Sequence, residues 1–557
     1  AKNLNIKDQK LLFDNINLLS NNILIEGAKL KALDNLNIKS DNIFVKSIVD
    51  ERSNEITYLE DTMYWKSLVN EKQKLQKNIS SNILAKNIKI DSNNAVILGS
   101  NILVEEDLII NSDNLELIAN KTENTKEEIN ENVFIKNKTK IENKLKYNEV
   151  NSSNILGKNV KIGKGNVVVN GSNVLTDEKL YIDANKVEML EEKANISRED
   201  YLNDSRVNFD LKVGLRGANI KLGYSLNQDK SNEDTKLSHK SNISSKEVKI
   251  NLIKDIISSA DISAEKLEIN ADNILLKDVK DSVTKNVKSK NFNIGLSANV
   301  GSSLLDIVAD TKEMVADKKI DNALNIASNI HKVNKIISGA INPNKLVDVS
   351  IGLSVGGSNR RLTFNSRESI SGKIDVKDIK LNAKEKVTLI NQEINGKNLE
   401  INSKETHLLQ GESTKTISDK TDGGGVDLSF NPITVNGTVG ARYNNKRYSL
   451  DEKKYSNTKL NVGNIKINSE KVEKEDKKDE KHEDKSSLEL GFSISAGMIG
   501  VTGLDGNIKA NNTGIGLGID LSGKEVLGGK GSISYKGNGF ALGISKEGKI
   551  TSSEIEV

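Results

Sequence analysis

A short phrase returns along this chain at a nearly fixed interval, and no other feature restricts the fold as strongly. Residues 81–84 read SNIL, 99–103 GSNIL, 152–156 SSNIL and 171–175 GSNVL, while 20–24 read SNNIL and 40–43 SDNI. Asn82 to Asn101 and Asn154 to Asn173 are each 19 residues apart, and Asn22 to Asn42 is 20. A period near twenty that joins small polar residues to a short apolar run is the mark of a stacked solenoid. One such unit buries too little apolar surface to fold alone, so the units must stack.

Between the phrases lie short alternating runs: residues 36–38 (LNI), 43–45 (IFV), 88–90 (IKI), 96–98 (VIL), 108–110 (LII), 160–162 (VKI) and 267–269 (LEI). Two or three such strands per twenty residues, joined by Asn, Asp, Ser and Gly, describe one turn of a right-handed parallel β-helix. The fold class read here is therefore all-β. Roughly fifteen to twenty coils, each advancing by one inter-strand spacing of about 4.8 Å, would span roughly 70–95 Å. A hairpin meander would need a tight turn between most strand pairs. Asn-Gly occurs only at 170–171, 395–396, 436–437 and 538–539, too seldom for that. The recurring Asn has two structural readings: an amide ladder along the stack, or a left-handed turn position.

Hydrophobic residues are 36 % and aromatics 4 %, yet the Ile, Leu and Val are evenly spaced, which argues for order. The 81 basic and 78 acidic residues leave a charge of +3, with no arginine-rich stripe, so nucleic acid is not an expected partner. The chain has no cysteine, which a cytosolic protein can share with many long bacterial surface proteins that avoid oxidative cross-links during export. No run of about eighteen apolar residues is present, so no integral membrane span is expected. There is neither an initiator Met nor a signal pattern at Ala1, and the chain reads as an internal or processed piece of something longer.

The texture divides the chain as follows. Residues 1–120 are β-helix coils with an insertion at 50–77, which carries Trp65, and 121–150 are a polar excursion. Coils and Gly-rich strands occupy 151–302 and again 341–470. Residues 471–487 are a charged linker, and 488–557 a Gly-rich β segment that alternates apolar residues with Gly, Ser or Asn. Similar alternation marks 211–226, 292–301, 349–357 and 426–440. A membrane barrel would need longer strands and aromatic girdles. A helical insertion is expected at 303–340: Ser303 and Asp306 fit a capping box, Leu304, Ile307, Val308 and Val315 follow helical spacing, and Gly339 and Pro343 end it. It is expected to pack its apolar stripe on the β-helix wall.

The phrase at 99–103, 152–156 and 171–175, and the spacer-to-strand units at 277–301 and 404–430, resemble the haemagglutinin repeats of filamentous haemagglutinin. Similar repeats occur in two-partner secretion exoproteins, including contact-dependent growth inhibition proteins. The helix at 303–338 between two Gly-rich strands also resembles that family. The likeness covers roughly residues 1–465. It implies a secreted or cell-surface adhesive rod. The partners it implies are cell-surface receptors or glycans, on a host or a neighbouring cell, and an outer-membrane transporter acting through an amino-terminal region not in this sequence. The alternative it implies is the delivery segment of a growth-inhibition toxin.

Catalytic chemistry finds little footing. His239, His331, His407 and His482 stand apart, without the spacing that would place two imidazoles on one metal. GLSVG at 352–356 centres Ser354, but SNRRLTF follows where a nucleophile elbow needs a helix. The Gly-rich runs at 423–425 and 528–531 lack the Lys-Ser/Thr ending of a phosphate loop, and GLDG at 503–506 stands outside any calcium nonapeptide repeat. Glu105-Glu106 and Glu191-Glu192 would serve a polysaccharide-acting β-helix enzyme only if two carboxylates converged across a groove. Otherwise such pairs are solvated surface. No catalytic, cofactor-binding or metal residues, and no cofactor, are expected.

Overall fold

The computed structural model describes residues 2–301 and 348–556, apart from positions 136, 215–216, 433–434, 498–499, 511–512, 523–524, 536–537 and 546–549. The described residues form two sheets and no helix. The helical insertion expected at 303–340 lies outside them.

The first sheet is the solenoid. Each coil supplies three parallel strand segments, seen for instance at 22–26, 29–32 and 35–39, which pair with 42–46, 82–84 and 87–91. Along the second of these faces the ladder runs through eleven rungs, entering at Lys10, Lys29, Asn82, Asn101, Asn154, Asn173, Asn242, Asp261, Gly372, Gln392 and Lys459. The chain winds inward-facing Ile, Leu and Val into one closed core, with Ile23, Leu30, Ile83, Ile102, Ile155, Ile243 and Ile394 fully buried. Burying such a side chain contributes about 1.5–3 kcal/mol each, so the stacked rungs carry the fold. Eleven rungs advance by about 50 Å, which corrects the expectation of fifteen to twenty coils.

The missing coils are in the second sheet. Equivalent residues on successive rungs are alternately close and far apart in sequence: 19 from Asn82 to Asn101, 53 to Asn154, 19 to Asn173, and 69 between the corner residues Ser172 and Ser241. Every second coil extrudes a hairpin. The five hairpins are Ile48–Asp61 with Trp65–Ile79, Asn120–Phe134 with Asn137–Asn151, Glu192–Gly214 with Gly217–His239, Val279–Gly301 with Asp348–Ile370, and Gly411–Asn431 with Asn436–Ser456. Each hairpin pairs in antiparallel register with the next, through Trp65–Phe134, Lys138–Ser205, Gly217–Gly301 and Ile351–Phe430. The sheet then continues beyond the last coil as a six-strand meander from Glu480–Gly497 to Ile550–Glu556.

The stacking works because two lengths match. Two coils rise by about 9.6 Å, and the two strands of one hairpin occupy about 9.6 Å in the hydrogen-bonding direction. One hairpin per two coils therefore gives a continuous sheet without strain or gap. A hairpin on every coil would be too wide, and one on every third would leave unpaired edges.

This geometry corrects several expectations. The insertion at 50–77 and the polar excursion at 121–150 are the first and second hairpins, not departures from order. Residues 471–487 form no linker: 471–474 end the last coil strand and 480–485 begin the meander. The hairpin topology set aside on Asn-Gly counts is present beside the β-helix. A long hairpin needs one turn per pair, and at the tip of the first hairpin Thr62 closes it, its amide N–H and hydroxyl donating to the Trp65 carbonyl at 2.7 and 3.0 Å.

Candidate functional surface

The recurring phrase resolves into a corner with a separate task for each residue. All hairpins leave from the corner between the first and second faces, after residues 46, 118, 190, 276 and 409, and return just before the second face. In most plain coils this corner is turned by a residue in the left-handed region, Asp8, Gly27, Gly99, Gly171 or Asn391, with φ of 51°, 59°, 55°, 55° and 46°, whereas Ser259 and Ala260 turn it without positive φ. Glycine is required at 99 for a second reason. A Cβ there would lie 2.5 Å from the Cβ of Asn120, the first residue of the neighbouring hairpin.

The Ser after it is fully buried. Ser81, Ser153 and Ser241 donate their hydroxyls to the last carbonyls before the hairpins depart, Lys46 at 2.8 Å, Ile118 at 2.7 Å and Leu190 at 2.7 Å. Each also accepts a backbone N–H, from Ala28, Ser100 and Ser172 at 3.2–3.3 Å. Thr458 takes this place in the last coil, donating to Leu409 at 3.3 Å. These hydroxyls satisfy main-chain groups at a break in the coil, where an unpaired buried group would be costly.

The Asn then forms a ladder. Asn101 donates to Asn82, Asn154 to Asn101 and Asn173 to Asn154 at 2.7–2.8 Å. A second ladder, on the first face, runs through Asn3, Asn22, Asn42, Asn94, Asn114 and Asn166 at 2.8–3.3 Å. A third, on the third face, joins Asn251, Asn270, Asn382, Asn402 and Asn468 at 2.6–2.7 Å. The ladder is thus the task of the phrase's Asn, and left-handed backbone falls to the residue before the Ser. The early phrases at 20–24 and 40–43 belong to a different corner, where the Ser40 hydroxyl donates to the Asn42 carbonyl at 2.7 Å.

The sheet has a different surface. Its half nearest the solenoid is laced by exposed ion pairs: Lys72–Glu55, Lys74–Glu51 and Lys126–Glu71 at 3.0–3.1 Å, Lys285–Glu233 at 2.9 Å, and a bidentate Arg360–Asp419 contact across two hairpins. Each is worth little alone, but opposite charges across strands fix the register. Glu483, flanked by Lys485 and Lys481, is held down at about 2. The distal half carries alternating apolar and small residues.

The residues weighed for chemistry are dispersed. Ser354 lies within the strand Asp348–Ile370, with no helix after it. His239 accepts or shares a 2.8 Å hydrogen bond with Ser152, and burial holds its pKa below the ordinary value. His407 faces Glu405 at 3.1 Å, and His482 lies opposite Asp451 in the meander. His331 is outside the described residues. Glu106 is paired with Lys158 at 2.8 Å, and Glu192 with Lys121 at 2.6 Å. Among the described residues no three His, Cys, Asp or Glu side chains gather as a metal site.

A sequence model described as "Hemagglutinin repeat" matches residues 135–294 and 353–476, half of the chain. The chain belongs to the hemagglutinin-repeat family. The first matched region runs from the second strand of the second hairpin into the first strand of the fourth, and the second from the other strand of the fourth through the fifth hairpin and the last coils, so both sheets are included. No curated protein and no solved structure matches this chain. The corner hydroxyls and the one-layer sheet are what the sequence reading missed. The signal for the sheet was available: apolar alternation runs up to Val213 and resumes at Ala218, the mirror arrangement of a hairpin.

Proposed function

We propose that this chain is a non-enzymatic rod, a secreted or cell-surface segment of a large haemagglutinin-like adhesin, working by reach and repeated weak contact. The observation that carries this reading is the solenoid, whose self-similar rungs present the same side-chain types at each step along about 50 Å. Repetition converts weak contacts into avidity. Membership of the hemagglutinin-repeat family supports the secreted location, and no helix of the described residues is long and apolar enough to cross a membrane. The coils are taken as right-handed, the hand of nearly all parallel crossover connections. The partners proposed are receptors or glycans on a host or neighbouring cell, with export through an outer-membrane two-partner transporter.

The test is binding of the purified chain to intact cells and to immobilised glycans, as free protein and displayed in many copies on beads. Saturable binding that strengthens steeply with copy number is expected. Failure to bind at any copy number would sink the adhesive reading. The second reading, a delivery segment for a contact-dependent growth inhibition toxin, is favoured by the Gly-rich strands of low charge that continue past the last coil. Adding a killing domain after Val557 and scoring inhibition of target cells distinguishes it.

A further inference from the structure

The distal half of the antiparallel sheet has an apolar face that no other element of the described residues covers. Directly opposed residues in adjacent antiparallel strands project to the same side. The register therefore sets Phe209, Leu222, Leu296, Leu353, Leu428 and Val439 in one row across six strands. Flanking rows on that side hold Tyr224, Ile294 and Val355, then Ile220 and Ile351. One residue along, the opposite side holds Asn208, Gly223, Gly295, Ser354, Asp427 and Gly440. The apolar side is open to solvent, with Phe209 at 66 %, Leu222 at 48 % and Val439 at 51 % exposure. It continues into the meander through Phe492, Ile508, Ile515 and Leu517, all exposed.

We propose that this face is an interface with a second copy of the chain, the two sheets packing face to face as a sandwich about their apolar rows. Nine strands about 4.8 Å apart, carrying three to four apolar rows about 7 Å apart, present roughly 900 Å², against roughly 800 Å² per partner in a stable interface of standard size. A flat face of this kind is complementary to itself, as an isologous two-fold contact requires. Two such faces close at the usual sheet-to-sheet distance of about 10 Å. Lipid is the poorer occupant. Among the described residues the outer strands Ile48–Asp61 and Ile550–Glu556 do not pair with each other, and an open sheet edge cannot be satisfied in hydrocarbon.

The experiment is light scattering of the full chain at micromolar concentration, with phosphatidylcholine vesicle flotation in parallel. A dimer is expected. The double variant Leu296→Glu, Leu353→Glu should be monomeric with its circular dichroism retained, while Lys221→Glu, on the other side, should stay dimeric. If the double variant misfolds, Leu428→Cys serves instead, since the chain has no other thiol. Its alkylation should be several-fold slower in the dimer than after dilution. A monomeric wild-type chain overturns the proposal, whether its face is bare or covered by residues 302–347. Equal alkylation rates, or vesicle flotation without dimerisation, overturn it as well.

Discussion

Solenoid and sheet are built by the same chain, from strands of the same local pattern, with opposite economies of burial. In the solenoid each strand has a covered inner face, and its apolar residues, Ile102 among them, lose all contact with water. In the sheet the strands are longer, and Ile56 remains 56 % exposed. The solenoid is held by its core, with amide ladders and ion pairs such as Lys7–Glu26 and Lys46–Glu26 on its surface, the sheet by main-chain pairing and charge. The parallel strands of the coils keep one face inside and one in water, whereas the single-layer hairpin sheet leaves both faces open. The hairpin sheet survives because each hairpin is anchored at its base to two coils and, the edge strand Ile48–Asp61 apart, paired on both sides.

The contrast is broken most directly by a charge. Ile102→Asp should cost about 3–5 kcal/mol, an unpaired carboxylate in the stack interior, while Ile56→Asp in the first hairpin should cost under about 1 kcal/mol. Equal losses of thermal stability for the two variants would mean that the sheet has a core of its own. Next in size is the corner. Gly99→Val should cost about 2–3 kcal/mol through its left-handed backbone and its approach to Asn120, measured by denaturant midpoint. At Ser80, which precedes the phrase where a hairpin returns and has no left-handed backbone, the same change should cost less than half as much.

Ser153→Ala leaves the Ser100 amide and the Ile118 carbonyl short of a partner and should cost about 1–3 kcal/mol, with faster amide exchange at the base of the second hairpin. Acid should act on the sheet and on the solenoid surface together, since Glu26 in the coils, held down by Lys46 and Lys7, is depressed as well. Glu51, held down by Gln76 and Lys74, and Glu483, held down to about 2 by Lys485 and Lys481, have depressed pKa values in the folded chain. Their stabilisation is complete above the ordinary carboxylate value of 4.5 and is lost as pH falls from there through about 2. Exchange protection should therefore loosen over that window at the exposed pairs of hairpins and coils alike, while the fully buried rungs such as Ile102 keep theirs; loss confined to the hairpins would mean that the ion pairs of the coils contribute nothing. Smallest of all, Glu480→Lys removes an exposed 3.2 Å pair with Lys453 and should shift stability by no more than about 0.5 kcal/mol.

The period near twenty, the buried Ile after each Asn, and the family were legible in the sequence because each is a local regularity: a stacked coil must place the same residue at the same corner every turn. The phrase even marked its own corner, since a residue tolerant of left-handed backbone turns it in most plain coils, as Gly99 and Gly171 do. Strand partners were not legible. Apolar alternation has period two in parallel and antiparallel strands alike, so 292–301 reads the same whether it joins a coil or a hairpin. Only the tertiary structure decided that one hairpin accompanies every two coils, because that ratio follows from matching the rise of the solenoid to the spacing of the sheet. It also decided that the apolar rows of nine separate strands lie on one side, where a second copy can meet them.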